Sequence, residues 1–314
     1  MASKKMTPLP PRTIRIGMLN PDTPVPNVRS KFESYGAVFH QLLAEAAARV
    51  APHVQVRSEQ FDVVRGEYPS RPEDYDLLLV AGSSASAYED AEWIRTLDKF
   101  LSRVYSQHPQ VRLFGSCFGH QILCQALLGK HGAVVEKDPK GWEIGVHTIH
   151  LTPEFRAALG RESHPALSQR PPTPEEDDNN QNVVGDKNGA LKQDTLRLQF
   201  VHADHVRLPE PPQQRLPPGW VLVGSTKHCA VQGVYLPARV LTYQGHFEFD
   251  RFINGETLRV FGASWDPRIL QSALEQIDSD DDAAAAADMV ARFLLEEGVG
   301  EEGLLTPPVS DWLD

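Results

Sequence analysis

Residues 75–81 read YDLLLVA, a continuous apolar run of the kind that forms a β-strand covered on both faces. Such strands belong to parallel sheets, so helices should flank the sheet on either side. Residues 13–19 (TIRIGML) and 111–114 supply further short strands, the first ending at the Asn20-Pro21 turn signal and the other closed by Gly115. Residues 54–56 are a weaker strand candidate. Between them, Phe32, Tyr35, Val38, Phe39, Leu42, Leu43 and Ala46 recur at helical steps. Trp93, Ile94, Leu97, Phe100, Leu101 and Val104 do the same. The order β-α-β-β-α-β then runs into a helix over residues 118–128, stopped by Gly129.

Strands alternating with helices of this length predict an α/β fold with a doubly wound, mostly parallel sheet, whose sites lie at the carboxyl ends of the strands. Beyond Gly141 the character becomes β-rich. Residues 144–151, 197–201, 220–224, 230–235 and 240–243 read as short strands separated by Pro and Gly. Residues 169–194 lack periodicity and are dense in Pro, Asp and Asn, which predicts a disordered insertion. The acidic residues 278–282 suit a helix start leading into residues 283–295, with Met289, Val290, Phe293 and Leu294 on one side. The expected organisation is a disordered stretch over residues 1–12, a catalytic domain over 13–275, and an acidic helix and loose tail over 276–314.

Bulk properties narrow the function. The chain is 41% hydrophobic and 23% charged with a net charge of −11, an ordinary globular composition without the basic surface that nucleic acid requires. Its three cysteines, Cys117, Cys124 and Cys229, form neither a disulfide framework nor a CxxC zinc pattern. A reducing compartment fits them. With a polar first dozen residues and no run long and apolar enough to span a bilayer, no membrane partner is expected. The cytoplasm is the default location, with the nucleus left open.

The chemistry concentrates at Gly115-Ser116-Cys117-Phe118-Gly119-His120-Gln121, between an apolar strand and an apolar-periodic helix. A nucleophile on such a sharp turn stands clear of the sheet, and glycines two residues to either side let strand and helix approach closely. Cys117 would lie at a helix N-terminus, where the dipole favours thiolate. The plainer alternative is a buried cysteine in an ordinary βα turn. Cys124, two turns further on among Ile122, Leu123 and Leu127, reads as core.

The G-x-C-x-G-x-Q pattern after a strand resembles the nucleophile motif of class I glutamine amidotransferases, a flavodoxin-like α/β family, over about residues 13–250 apart from the insertion. The resemblance implies a catalytic His and, two residues later, a Glu after a final strand. Residues 240–250 read VLTYQGHFEFD, which gives His246 and Glu248, with His-Phe-Glu where the family usually has His-Pro-Glu. Cys117 would attack a γ-carbonyl, His246 would carry the proton, and Glu248 would hold the imidazole and support its charge.

An acyl-transfer site also needs donors for the oxyanion. The backbone N–H of Phe118 is one. The resemblance puts the other in the turn after the preceding strand, at Gly82, although a plain strand-ending turn reads equally well there. Gln121 matches the family glutamine that helps hold the glutamyl group. His202 and Asp204, in the segment HADHV followed by LP, resemble a family segment at the mouth of the site, and are taken with Gln121 as substrate-binding. His202, Asp204 and His205 are also metal-ligand types, but strand alternation turns His205 away from the other two, so no metal is expected; nor is any cofactor.

Residues 81–83, the AYED…WI stretch and GWEIG at 141–145 more closely resemble stand-alone γ-glutamyl peptidases of this family. The resemblance therefore implies a hydrolase of γ-glutamyl bonds in glutathione, its conjugates or glutamine, acting through a thioester on a small-molecule substrate. Subtracting the matching domain leaves no length for a fused synthetase. Two alternatives stand: a glutaminase subunit that feeds ammonia to a separate synthetase partner, and a non-catalytic binding module. Substrate identity and oligomeric state are not legible in the sequence.

Overall fold

A computed structural model of the protein describes residues 12–159 and 194–296. The expectations for residues 1–11, for 169–193 of the insertion and for the tail beyond 296 lie outside the described residues, while Arg12 already stands in the first strand. The first half runs β1 (Arg12–Asn20), α1 (Pro26–Arg29), α2 (Tyr35–Val50), β2 (Val54–Asp62), β3 (Leu77–Val80), α3 (Glu92–Gln107), β4 (Arg112–Ser116), α4 (Phe118–Leu128) and β5 (Val134–Lys137). Then follow β6 (Glu143–Leu151), α5 (Pro153–Leu159), β7 (Thr195–His202), β8 (Asp204–Arg207), α6 (Pro212–Arg215), β9 (Val221–Leu222) and β10 (Gly224–Ser225). The described chain closes with β11 (Val234–Leu236), β12 (Val240–Tyr243), α7 (Arg251–Phe261), α8 (Pro267–Gln276) and α9 (Ala283–Leu295).

The main sheet has the order β2-β1-β3-β4-β12-β11-β9. From β2 to β12 every neighbouring pair is parallel; β11 and β9 finish one edge antiparallel. The apolar run in β3 explains itself by period-two alternation. Leu77 and Leu79 enter the core on one face, with Phe39 and Leu43 of α2 and Met289 and Phe293 of α9. Leu78 and Val80 enter the other, with Leu97 and Leu101 of α3 and Ile122 and Leu127 of α4. Fully burying each such side chain is worth roughly 1.5–3 kcal/mol, which is why a strand that buries every position can sit only at the middle of a two-sided sheet.

Local chemistry sets the ends of the elements. Ser34 Oγ accepts the Ala37 N–H at 3.1 Å, so α2 begins at Tyr35, and Phe32 packs against the core from ahead of the helix. β2 extends to Asp62, longer than its apolar residues indicate, because it pairs with the whole of β1. Gly115 lies within β4 and does not close it. Gly129 keeps a right-handed conformation at the end of α4, and the left-handed reversal falls at Gly132, with φ 90°.

Helices α7 and α8 were not expected. Each is started by an aspartate cap: Asp250 accepts from Ile253 N–H at 2.7 Å and Asp266 from Arg268 N–H at 2.8 Å. The acidic residues before α9 are anchors as well, with Asp281 accepting from Ala283 N–H and Asp282 from Arg197 N–H. Helix α9 then packs in the same core as α2. The β-rich second half is divided between β12, β11 and β9 of the main sheet and two smaller antiparallel sheets, β10-β6-β7 and β5-β8. No helix among the described residues is long and apolar enough to cross a membrane.

Candidate active site

Cys117 sits at the carboxyl end of β4, on the turn into α4, with φ 51° and ψ −106°. Positive φ in a non-glycine residue costs on the order of 1–3 kcal/mol, and the surroundings fix it there. Its N–H donates to Tyr243 O at 2.8 Å, tying the turn to β12, and its carbonyl accepts the Gln121 N–H. The flanking glycines are required by contact. A Cβ on Gly115 would lie 2.3 Å from the carbonyl oxygen of Gly119, and one on Gly119 would lie 2.1 Å from that of Val80. Strand and helix therefore touch backbone to backbone.

Beyond β12 the chain brings His246 and Glu248 to the same strand end. His246 Nδ1 is 2.7 Å from Glu248 Oε1, and both side chains are buried. Ser116 Oγ donates to both oxygens of that carboxylate, at 3.0 and 3.2 Å. The imidazole also stacks on Phe249, with ring centroids 4.0 Å apart and planes 13° apart. An isolated antiparallel bridge to Gln199 of β7 fixes the His246 backbone.

His246 Nε2 completes no hydrogen bond among the described residues. Burial disfavours the imidazolium, but the Glu248 carboxylate and then the Cys117 sulfur outweigh it, so the His246 pKa is raised. Gly82 faces the same spot: a Cβ there would come 3.1 Å from His246 Cε1 and 3.8 Å from Cys117 Cβ. No hydrogen bond occupies the Gly82 or Phe118 N–H among the described residues. Two free donors thus flank the cysteine.

An amide chain also reaches the sulfur. Gln244 Nε2 is 3.6 Å from Cys117 Sγ, and Gln244 Oε1 accepts from Gln121 Nε2 at 3.1 Å. Gln121 also donates to Asp204 O at 3.0 Å, and is buried rather than solvated. The Asp204 carboxylate accepts from Ser86 Oγ and Tyr88 Oη, which ties the loop after β3 to this wall.

His202 turns inward. Its Nδ1 meets Asp204 O at 2.9 Å and its Nε2 meets Glu143 Oε2 at 2.9 Å, so both nitrogens of the buried ring are engaged. Burial would push the Glu143 carboxyl up, but His202, Thr226 and Gln232 hold it below its ordinary range. With both nitrogens taken, His202 supports the wall rather than offering a free polar atom to a ligand. His205 faces Asp138 and Glu136 instead. His202, Asp204 and His205 therefore do not converge, and no cluster among the described residues has the arrangement of a metal site.

Sequence reasoning missed Ser116, Gln244 and Phe249. All three lie within two residues of a residue singled out, yet nothing in their types reveals that they turn toward it.

No family model matches the chain. A glutamine amidotransferase-like protein of Schizosaccharomyces pombe is 26% identical over 289 residues, 90% of this chain and 98% of that protein. Gamma-glutamyl peptidase 4 of Arabidopsis thaliana is 33% identical over a shorter stretch of 98 residues, 31% of this chain and 37% of that protein. Among solved structures, a glutamine amidotransferase of Thermotoga maritima has the same fold, with a TM-score of 0.54 at 18% identity over 90% of this chain and 96% of that one. With its parallel sheet and cysteine turn as described, the chain is similar to class I glutamine amidotransferase-like proteins over nearly its whole length.

Proposed function

We propose that the protein is a cysteine hydrolase that cleaves a γ-glutamyl amide bond, with Cys117 as nucleophile, His246 as proton carrier and Glu248 as the group that orients it. The observation that carries this reading is the 2.7 Å contact of His246 Nδ1 with Glu248, which leaves Nε2 uncommitted beside the strained Cys117. The Cys117 thiolate attacks the γ-carbonyl carbon, and the carbonyl π pair moves onto oxygen, where the Gly82 and Phe118 N–H groups stabilise it. Collapse breaks the C–N bond, and the departing amine takes the proton from His246 Nε2. A γ-glutamyl thioester remains on Cys117. Water attacks that thioester and gives a proton to His246, and the second collapse expels the Cys117 thiolate and frees glutamate.

Gln121 and Asp204 form the wall on the glutamyl side, through Gln244 to the sulfur. The partial match to a γ-glutamyl peptidase supports hydrolysis as an end in itself. A second reading, a glutaminase that passes ammonia to a separate synthetase, is favoured by the longer match to an amidotransferase-like protein. Purified protein offered glutamine, glutathione and S-alkylated glutathione separately distinguishes the two. Glutamate released from either peptide by wild type, and not by Cys117→Ala, supports the peptidase; ammonia from glutamine alone supports the glutaminase. Peptide hydrolysis that survives in Cys117→Ala sinks both.

A further inference from the structure

A cavity of about 570 Å³ opens at the carboxyl end of β1, lined by Asp22, Val25, Arg29, Tyr35, Ser84 and Phe261 among others. We propose that it is the leaving-group subsite, which takes a carboxylate-bearing amino acid or peptide beyond the scissile γ-glutamyl bond, with Arg29 as the residue that selects for the carboxylate. The proposal rests on the γ-glutamyl hydrolase reading above and narrows its substrate class.

Two chains of contact join the cavity to the reacting atoms. Ser84 belongs to the turn that carries Gly82, and Asp22 Oδ2 fixes it by accepting from both its N–H and its Oγ, at 2.9 and 2.7 Å. On the other side, Tyr35 packs on Phe249 with centroids 5.6 Å apart, and Phe249 stacks on His246. Two packed rings, Tyr35 and Phe249, thus stand between the cavity and the imidazole that must protonate the departing amine, and the shorter way to the cysteine runs past Ser84. The amide chain of Gln244, Gln121 and Asp204 reaches Cys117 through residues that do not line the cavity. Acyl part and leaving group extend to opposite sides of a scissile carbonyl, so the two walls suit the two halves of the substrate.

Charge and size specify the occupant. Arg29 is exposed and has no carboxylate within ion-pair distance among the described residues. Asp22, the acid in the same cavity, already accepts from Thr23 N–H and twice from Ser84. That leaves a guanidinium free for a carboxylate, beside apolar Val25 and Phe261. Ammonia, the leaving group of glutamine, has about the volume of a water molecule, ~30 Å³, and would use almost none of this space. A dipeptide with a free carboxylate would use both the room and the charge.

The test compares wild type, Arg29→Ala and Arg29→Lys on glutathione, on glutathione amidated at its C-terminal carboxylate, and on γ-glutamyl-p-nitroanilide. Wild type is expected to have a KM about tenfold lower for glutathione than for its amide, the size of one charged hydrogen bond. Arg29→Ala should raise the KM for glutathione by about that factor, leave kcat within about twofold, and leave the amide and the anilide unchanged; Arg29→Lys should restore part of the loss. An equal rise on all three substrates would assign Arg29 to the glutamyl carboxylate and overturn the subsite, as would no rise on glutathione. Cleavage of the anilide but not of glutathione by wild type overturns the subsite and spares the hydrolase reading. Cleavage of none of the three removes both.

Discussion

Ser116 Oγ holds both oxygens of Glu248, so the carboxylate that orients His246 is itself held by the residue directly before Cys117. The cysteine turn and His246 are thereby fixed to each other through a buried acid. Replacing Ser116 by Ala should cost about 1 kcal/mol of orientation, or about fivefold in kcat, with KM nearly unchanged. Steady-state kinetics on a γ-glutamyl substrate check this; a rise in KM at constant kcat would show that Ser116 serves binding instead.

The raised pKa of His246 gives a pH signature. Burial opposes the charge and Glu248 overcomes it, lifting the group from 6.5 to about 10. A raised folded pKa means that the stabilisation is fully present below about pH 6.5, declines above it and is gone once pH passes about 10. Glu248→Gln removes the main charge responsible. The wild-type advantage in Tm over Glu248→Gln should therefore be largest near pH 6 and shrink by pH 10, as followed by thermal melts. A constant gap across that range would show that Glu248 acts without charge. In turnover Glu248→Gln should lose less than Cys117→Ala or His246→Ala, since it removes no proton carrier.

The glycines of the site separate packing from chemistry. Gly119→Ala forces a Cβ to 2.1 Å from the Val80 backbone, which cannot move without opening the sheet, and should cost roughly 3 kcal/mol or more, read as a large drop in Tm or loss of soluble protein. Gly82→Ala meets only the edge of His246 at 3.1 Å. Its expected outcome is a near-native Tm with kcat down by about tenfold or more, because the new methyl fills the space between His246 and Cys117. Full activity in Gly82→Ala would remove that turn from the site.

Gln244 offers its amide N–H to the Cys117 sulfur. Gln244→Leu keeps similar bulk but withdraws the one amide donor that reaches the sulfur among the described residues. Alkylation of Cys117 by iodoacetamide at neutral pH should slow by about fivefold, the value of one such hydrogen bond. An unchanged alkylation rate would mean that Gln244 serves only to hold Gln121.

The apolar run in β3, the helical stripes of α2 and α3, and the glycines around Cys117 were legible because burial and backbone contact act on neighbouring residues with fixed periods. From these the sheet, its helices and the cysteine turn followed by residue type and spacing alone. Helices α7 and α8 carried only their capping aspartates as signals, and β2 borrowed its length from β1, information that lies in another strand. The ties from Ser116 to Glu248, from Gln244 to the sulfur and from His202 to Glu143 join positions far apart in the chain. A hydrogen bond depends on where two side chains meet and not on how they are spaced along the sequence. Only the pairing of β4 with β12, of β6 with β7 and of Gln199 with His246 decided those contacts, and with them which polar groups face the cysteine and which are spent inside the wall.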